Sequence, residues 1–124
     1  MKLVNIICII VIAFIFSTPI FAQTNLNDIN QKVCTRFEED LSRLAAIMEE
    51  LRRRKGITET RVAFGGVDTP IKLADYSITY AAEAIAFQRA QKFSSNSQLK
   101  YSLEGLRSKM LKAKIDVGRA LDEK

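Results

Sequence analysis

The sequence predicts an all-α protein: a small antiparallel three-helix bundle preceded by an N-terminal hydrophobic signal segment. Three observations support this prediction. Apolar side chains recur at intervals of three and four residues in three successive stretches, which is the spacing of one helix face. Segments rich in glycine, proline or serine separate these stretches. The middle stretch is apolar around most of its circumference, and such a helix is stable in water only with neighbours on more than one side.

The first 22 residues have the features of an export signal. Lys2 supplies a short basic start, residues 3–16 are almost entirely apolar, and a small-residue cleavage point follows Ala22. The apolar run is shorter than the roughly 20 residues of a membrane-spanning helix. We therefore expect a cleaved signal peptide over residues 1–22 and a periplasmic or secreted protein. The alternative is a membrane anchor formed by residues 3–22.

The remaining residues, 23–124, are enough for one helical domain with its own apolar core. Removal of Lys2 with the signal lowers the formal net charge of the chain from +5 to +4. A mild basic excess suits contact with anionic surfaces, but it does not indicate a nucleic-acid partner. Of the two cysteines, only Cys34 remains after cleavage, so the mature chain cannot form an internal disulfide.

The first helix is predicted to end just before Gly56, because glycine commonly follows the last residue of a helix. Its start could be capped by Asn25 with Asp28 or by Asn27 with Asn30, and the sequence leaves both open. Its apolar seam would pack inside the bundle or pair with a second molecule as a coiled coil. The seam consists of Cys34, Phe37, Leu41, Leu44, Met48 and Leu51.

A long loop over residues 56–69 follows the first helix. Connections between helices in bundles are commonly about 2–8 residues long, and longer ones are more often functional. We expect Val62, Phe64 and Val67 to pack against the helices. The alternative is a very short hairpin at the Gly65–Gly66 turn.

The second helix is predicted over residues 70–93. Thr69 is a suitable N-cap, and the proline after it fits the first helical position. We expect Tyr76, Tyr80 and Phe87 to belong to the core of the bundle, because the polar residues of this helix are confined to one narrow stripe. That stripe consists of Lys72, Asp75, Thr79 and Glu83.

The third helix is predicted to begin after the serine-rich turn and to end near Asp122. Ser95, with Gln98 three residues later, fits a capping box, and Ser97 is a second candidate N-cap. The apolar stripe of this helix consists of Leu99, Leu103, Leu106, Met110, Ala113, Val117 and Leu121.

The residues of common catalytic chemistry are missing or dispersed. The chain has no histidine, which removes Ser–His and Cys–His nucleophile pairs and the commonest metal ligand. It has no CxxC pair for zinc or redox chemistry. Glu38, Glu39 and Asp40 are consecutive, so on a helix they point in different directions and cannot converge on one proton or metal ion. We therefore expect no catalytic, metal-binding or cofactor-binding residues, and a protein that is not an enzyme.

Cys34 has two interpretations. It lies on the apolar seam of the first helix, where a buried thiol behaves as a small hydrophobic side chain. An unpaired cysteine in an exported protein is also a candidate for an intermolecular disulfide.

A cluster of cations at the end of the first helix also has two interpretations. Cations in a last turn are stabilised by the negative end of the helix dipole and need no further explanation. The same cluster could bind an anionic partner such as lipid headgroups or a cell-wall polymer. The cluster consists of Arg52, Arg53, Arg54 and Lys55, with Arg61 nearby in sequence.

These observations lead to one functional hypothesis and one alternative. We expect an exported, non-enzymatic protein-interaction or structural module of the cell envelope, which binds another protein or a second copy of itself. The alternative is a binder of the envelope surface or of a polyanion through the basic cluster at residues 52–61.

Overall fold

The computed structural model describes the backbone of residues 2–57 and 69–123, and the side chains from residue 25 onward within these ranges. This part of the chain forms three helices and no strand: α1 (Lys2–Lys55), α2 (Pro70–Ala90) and α3 (Asn96–Asp122). The predicted all-α fold with three helices is confirmed. The predicted signal segment lies outside the residues described with their side chains, and the expected packing of Val62, Phe64 and Val67 also lies outside the described part.

The three helices run up, down and up. Near one end of the bundle, Asn30 of α1 is hydrogen-bonded to Gln88, close to the end of α2. At the other end, Arg52 of α1 forms an ion pair with Asp75, close to the start of α2. The ammonium of Lys55 donates to the backbone carbonyl of Glu123 at 2.8 Å, so α1 and α3 end together. Helix α2 is therefore antiparallel to both of its neighbours.

The apolar core lies between the three helices as three clusters of buried residues. Every buried side chain of the described part lies between Leu26 and Ala120. Residues 23–124 therefore contain the whole of the described core. The predicted seam of α1 is used inside the bundle, so a coiled coil through this seam would require the bundle to open. The two larger clusters consist of Cys34, Leu41, Ala81, Ile85, Leu106, Met110 and Ala113, and of Met48, Ile71, Ala74, Val117 and Ala120.

Three of the predicted helix ends are confirmed. The Thr69 hydroxyl accepts a hydrogen bond from the backbone N–H of Lys72, and the Ser95 hydroxyl accepts one from Gln98. Gly56 has φ of +62°, the left-handed conformation expected after the last residue of α1.

The predicted start of the first helix is wrong. Helix α1 passes without a break through residues 25–30, so none of the four proposed capping residues begins it. Asn30 is instead fully buried, and its amide is used between helices. Asparagine caps are a local preference, and here the contact with another helix outweighs it.

A chain of hydrogen bonds joins all three helices, buried at Asn30 and Gln88 and partly buried at Ser102. The Asn30 amide donates to the backbone carbonyl of Gln88 at 2.9 Å, and the Gln88 amide donates to the Asn30 side-chain oxygen at 2.8 Å. The Ser102 hydroxyl of α3 donates to the Gln88 side-chain oxygen at 2.5 Å. Because buried polar groups that lose their partners are costly, these bonds fix the alignment of the helices along one another.

Candidate interaction surface

The largest departure from the sequence prediction is on α2. Tyr76, Tyr80 and Phe87 were expected in the core, but their exposed fractions are 64%, 45% and 69%. Helices α1 and α3 both pack on one side of α2, so none of the described helices lies against the opposite side. The buried side of α2 includes two polar residues, Ser77 and Gln88, which are held by hydrogen bonds to the other helices. Burial on α2 therefore follows the positions of its neighbours rather than the hydrophobicity of its residues.

The exposed aromatic residues of α2 are arranged along one line. Tyr76 and Tyr80 are one helical turn apart, and Phe87 follows two turns after Tyr80. The rings of the two tyrosines are stacked, with their centroids 6.3 Å apart and an angle of 4° between their planes. The ammonium of Lys109 on α3 lies 5.2 Å from the centroid of the Tyr80 ring.

Helix α3 carries a further exposed ring at the level of one end of this line. Tyr101 has an exposed fraction of 82% and was not singled out by its sequence. It immediately precedes Ser102, whose hydroxyl is bonded to Gln88, the residue after Phe87. Tyr101 and Phe87 are therefore at the same level on neighbouring helices. We call Tyr76, Tyr80, Phe87 and Tyr101 the aromatic face.

Such a surface is informative because of its composition. Single exposed apolar residues are common on monomeric proteins, whereas grouped large ones usually indicate a contact with another molecule. Aromatic residues, especially tyrosine, are enriched in the central parts of protein interfaces. A tyrosine side chain also brings a large contact area with few rotatable bonds.

A buried carboxylate holds α2 and α3 together behind the aromatic face. Asp116 is only 1% exposed and accepts hydrogen bonds from the Ser77 hydroxyl of α2 and, at 2.8 Å, from the Lys112 ammonium. Arg119 lies 3.6 Å from the second carboxylate oxygen. Burial alone raises the pKa of the Asp116 carboxyl. The hydrogen bonds and positive charges outweigh burial, so the pKa lies below its ordinary value.

This arrangement predicts that the free energy of unfolding depends on pH in the acidic range. Because the folded-state pKa of Asp116 is below the unfolded value of about 3.9, its contribution is present above that value and is lost as the pH falls through the folded pKa. We expect Asp116→Asn to be less stable than the wild type by about 1 kcal/mol near neutral pH. The difference should shrink as the pH falls below about 4, where the unfolded carboxyl is protonated.

The measurement is urea denaturation at a series of pH values. Asp122→Asn, at an exposed aspartate near the end of α3, is the matched control and should follow the wild type throughout. A difference for Asp116→Asn that stays constant down to the lowest pH would contradict this role of the carboxylate.

The predicted basic cluster is engaged mainly with nearby acids. Arg52 is paired with Asp75. Glu50 accepts hydrogen bonds from Arg53 and Arg54, and these bonds lower its pKa to about 2. Lys55 contacts Glu123, and Arg61 lies outside the described residues. Three carboxylates thus face the four described cations, which leaves little net charge for a polyanion. Binding of an anionic partner through this cluster stays a prediction.

Cys34 is fully buried between the helices. Its Sγ atom lies 4.0 Å from the side-chain oxygen of Asn30, and burial raises the pKa of the thiol. A buried, protonated thiol is weakly reactive. An intermolecular disulfide through Cys34 stays a prediction, and it would require the sulfur to leave this packing.

The carboxylates near the middle of α1 point to different neighbours. Glu38 forms an ion pair with Arg89 of α2 at 2.6 Å, and Asp40 forms one with Lys114 of α3 at 3.3 Å. Within the part of the chain that the structure describes, no group of three or more acidic, histidine or cysteine side chains could hold a metal ion.

A second apolar surface lies in the open groove between α1 and α3. Ile29, Leu99 and Leu103 line it together with Phe37, which is half-buried against the core. This groove therefore presents less exposed aromatic surface than the aromatic face.

Neither a protein-family model nor a curated protein nor a solved structure matches this chain. Within the residues whose side chains the structure describes, no helix is long and apolar enough to cross a membrane.

Proposed function

We propose that this chain is an exported, non-enzymatic protein-interaction module of the cell envelope, and that the aromatic face is its contact surface. The observation that carries the proposal is the exposure of Tyr76, Tyr80 and Phe87 along one line of α2. Export rests on the signal-like character of residues 1–22. The absence of histidine from the chain supports a role in binding rather than in acid–base chemistry.

The construction of the aromatic face supports this role. It is carried by two helices whose alignment is fixed by the Gln88–Ser102 and Ser77–Asp116 hydrogen bonds. The stacking of Tyr76 on Tyr80 already restricts both rings before a partner arrives. A surface that is ordered in advance loses less conformational entropy on binding, and its affinity is higher for the same contact area.

The proposal is tested by photo-crosslinking in producing cells. A photoreactive phenylalanine analogue replaces Phe87 in the full chain, and the control carries it at Leu111, an exposed apolar residue of α3 outside the aromatic face. We expect a defined cross-linked species from position 87 and none from position 111. Tyr76→Ser in the same chain should reduce the cross-link at least about tenfold, because tyrosines at the centre of an interface often contribute more than 1.4 kcal/mol.

Equal cross-linking from positions 87 and 111 would contradict a specific contact surface. So would an unchanged cross-link in the Tyr76→Ser chain. Tyr76→Ser should change the stability of the unbound protein by no more than about 0.5 kcal/mol, so a lost cross-link cannot be attributed to unfolding.

A further inference from the structure

The outer line of α2 has the spacing of a coiled-coil seam. Its residues alternate at three and four positions, as the a and d positions of a heptad do. The buried side of α2 faces α1 and α3, so this second seam is free in the described structure. The a positions are Leu73, Tyr80 and Phe87, and the d positions are Tyr76, Glu83 and Ala90.

This seam is complementary to itself when two copies of α2 lie antiparallel. In an antiparallel pair, each a position meets a d position of the other helix. A two-fold axis at the level of residues 81–82 then places Tyr76 opposite Phe87 of the second copy. It also places the larger Leu73 opposite the small Ala90. Tyr76 and Phe87 thus meet at two symmetry-related levels. At each end of the seam, a large side chain lies opposite a small one, so the two do not clash.

The charges on and beside the seam are complementary in the same arrangement. Tyr80 comes opposite Glu83 of the second copy, and Lys109 lies 5.2 Å from the centroid of the Tyr80 ring. Neither Glu83 nor Lys109 forms an ion pair with any residue that the structure describes. Antiparallel pairing brings Glu83 of one copy towards Lys109 of the other, and the two-fold axis repeats this pair. A polar residue at a seam position also selects one register.

The area of the aromatic face is smaller than that of a standard interface, but it reaches the lower limit of about 1,000 Å² in total for a weak, reversible dimer. An aromatic side chain buries about 150–250 Å², so the exposed parts of these four rings supply about 500 Å² per copy. A standard protein interface buries about 800 Å² per partner. Leu73 and the aliphatic part of Lys109 lie beside the rings and add to this area.

We propose that a second copy of this chain occupies the aromatic face, paired through α2 in antiparallel orientation with a Glu83–Lys109 ion pair across the interface. This inference rests on the proposed function, because it names the partner of the same surface. It commits to one partner, and a different protein or a lipid surface on this face is an outcome that overturns it.

The test is a charge exchange measured by sedimentation equilibrium. Residues 23–124 contain every buried side chain of the described part, and circular dichroism verifies that each variant is helical. We expect the unmodified chain to be a reversible dimer. Glu83→Lys and Lys109→Glu each place like charges together twice, and each should raise the dissociation constant at least about tenfold at low salt. The double variant E83K/K109E restores opposite charges and should return the constant to within about threefold of the original.

The matched controls are Glu104→Lys and Lys100→Glu, at exposed charged residues of α3 that line the groove towards α1. Neither should change the dissociation constant. A chain that stays monomeric at millimolar concentration overturns the inference. A dimer that both single exchanges weaken, with no recovery in the double variant, also overturns it. A dimer whose dissociation constant is unchanged by either single exchange overturns it as well.

Cysteine cross-linking in the full chain tests the register. In a background with Cys8→Ser and Cys34→Ser, co-expressed chains carrying Tyr76→Cys and Phe87→Cys should form a disulfide-linked dimer, whereas either variant alone should not. If the chain is monomeric but the photo-crosslink at position 87 captures a different protein, the inference about a second copy fails and the proposed function stands. If position 87 captures nothing and the chain is monomeric, both fail. Monomers that bind lipid vesicles through the aromatic face would also overturn the second copy.

Discussion

Ile85→Ala is expected to lower the free energy of unfolding by about 2–5 kcal/mol, whereas Phe87→Ala should change it by no more than about 0.5 kcal/mol. The two residues are two positions apart on α2, and both are large and apolar. Ile85 is packed between α1 and α3 in the central core, so its truncation removes buried contacts and leaves a cavity. Phe87 points away from α1 and α3, so its truncation mainly reduces the apolar area that is exposed to water.

The measurement is chemical denaturation of residues 23–124 followed by circular dichroism. Both variants are compared with the wild type at a concentration low enough to keep the chain monomeric, so that loss of a dimer contact does not enter. Similar losses of stability for the two variants would show that the assigned orientation of α2 is wrong. The sequence alone predicts a large loss for Phe87→Ala as well, because it places Phe87 in the core.

Asn30→Ala is expected to lower the free energy of unfolding by about 1–3 kcal/mol, although the residue removed is polar. The substitution leaves the Gln88 amide buried without the oxygen to which it donates. It also removes the donor to the Gln88 carbonyl. Gln31→Ala is the matched control, because its amide donates to the Arg89 carbonyl at 2.9 Å in a partly buried position. Its loss should be smaller, since water can reach the groups left behind.

A double-mutant cycle separates the hydrogen bonds from packing. The cycle compares Asn30→Leu, Gln88→Leu and the double variant. Because the double variant removes both polar side chains together, its loss of stability should be smaller than the sum of the losses in the two single variants. Strict additivity of the two single losses would show that the side chains of Asn30 and Gln88 do not depend on each other for stability.

Much of the fold could be predicted from local sequence features. The caps at Thr69 and Ser95 and the glycine after α1 depend on groups within a few residues of one another. The seams of α1 and α3 could be predicted for a related reason: each of these helices has one dominant apolar stripe. A single stripe leaves no choice about which side faces the core.

The candidate site could not be predicted in the same way, because α2 has two apolar lines with helical spacing. One passes through Ala74, Ala81 and Ile85, and the other through Tyr76, Tyr80 and Phe87. The sequence contained one useful signal: the second line can be written as a separate heptad seam. Tyr101 carried a similar signal, since it lies off the apolar stripe of α3.

The sequence by itself determined that this protein is helical, where its second and third helices begin, and which sides of α1 and α3 face the core. These properties depend on hydrogen bonds and spacings within one segment. Only the tertiary structure decided which side of α2 is buried. The small side chains of Ala74 and Ala81 let α1 and α3 approach α2 on that side, and Ser77 and Gln88 find hydrogen-bond partners there. Partners on other helices are not encoded in the local spacing, and so the exposure of the aromatic face emerged only from the packing.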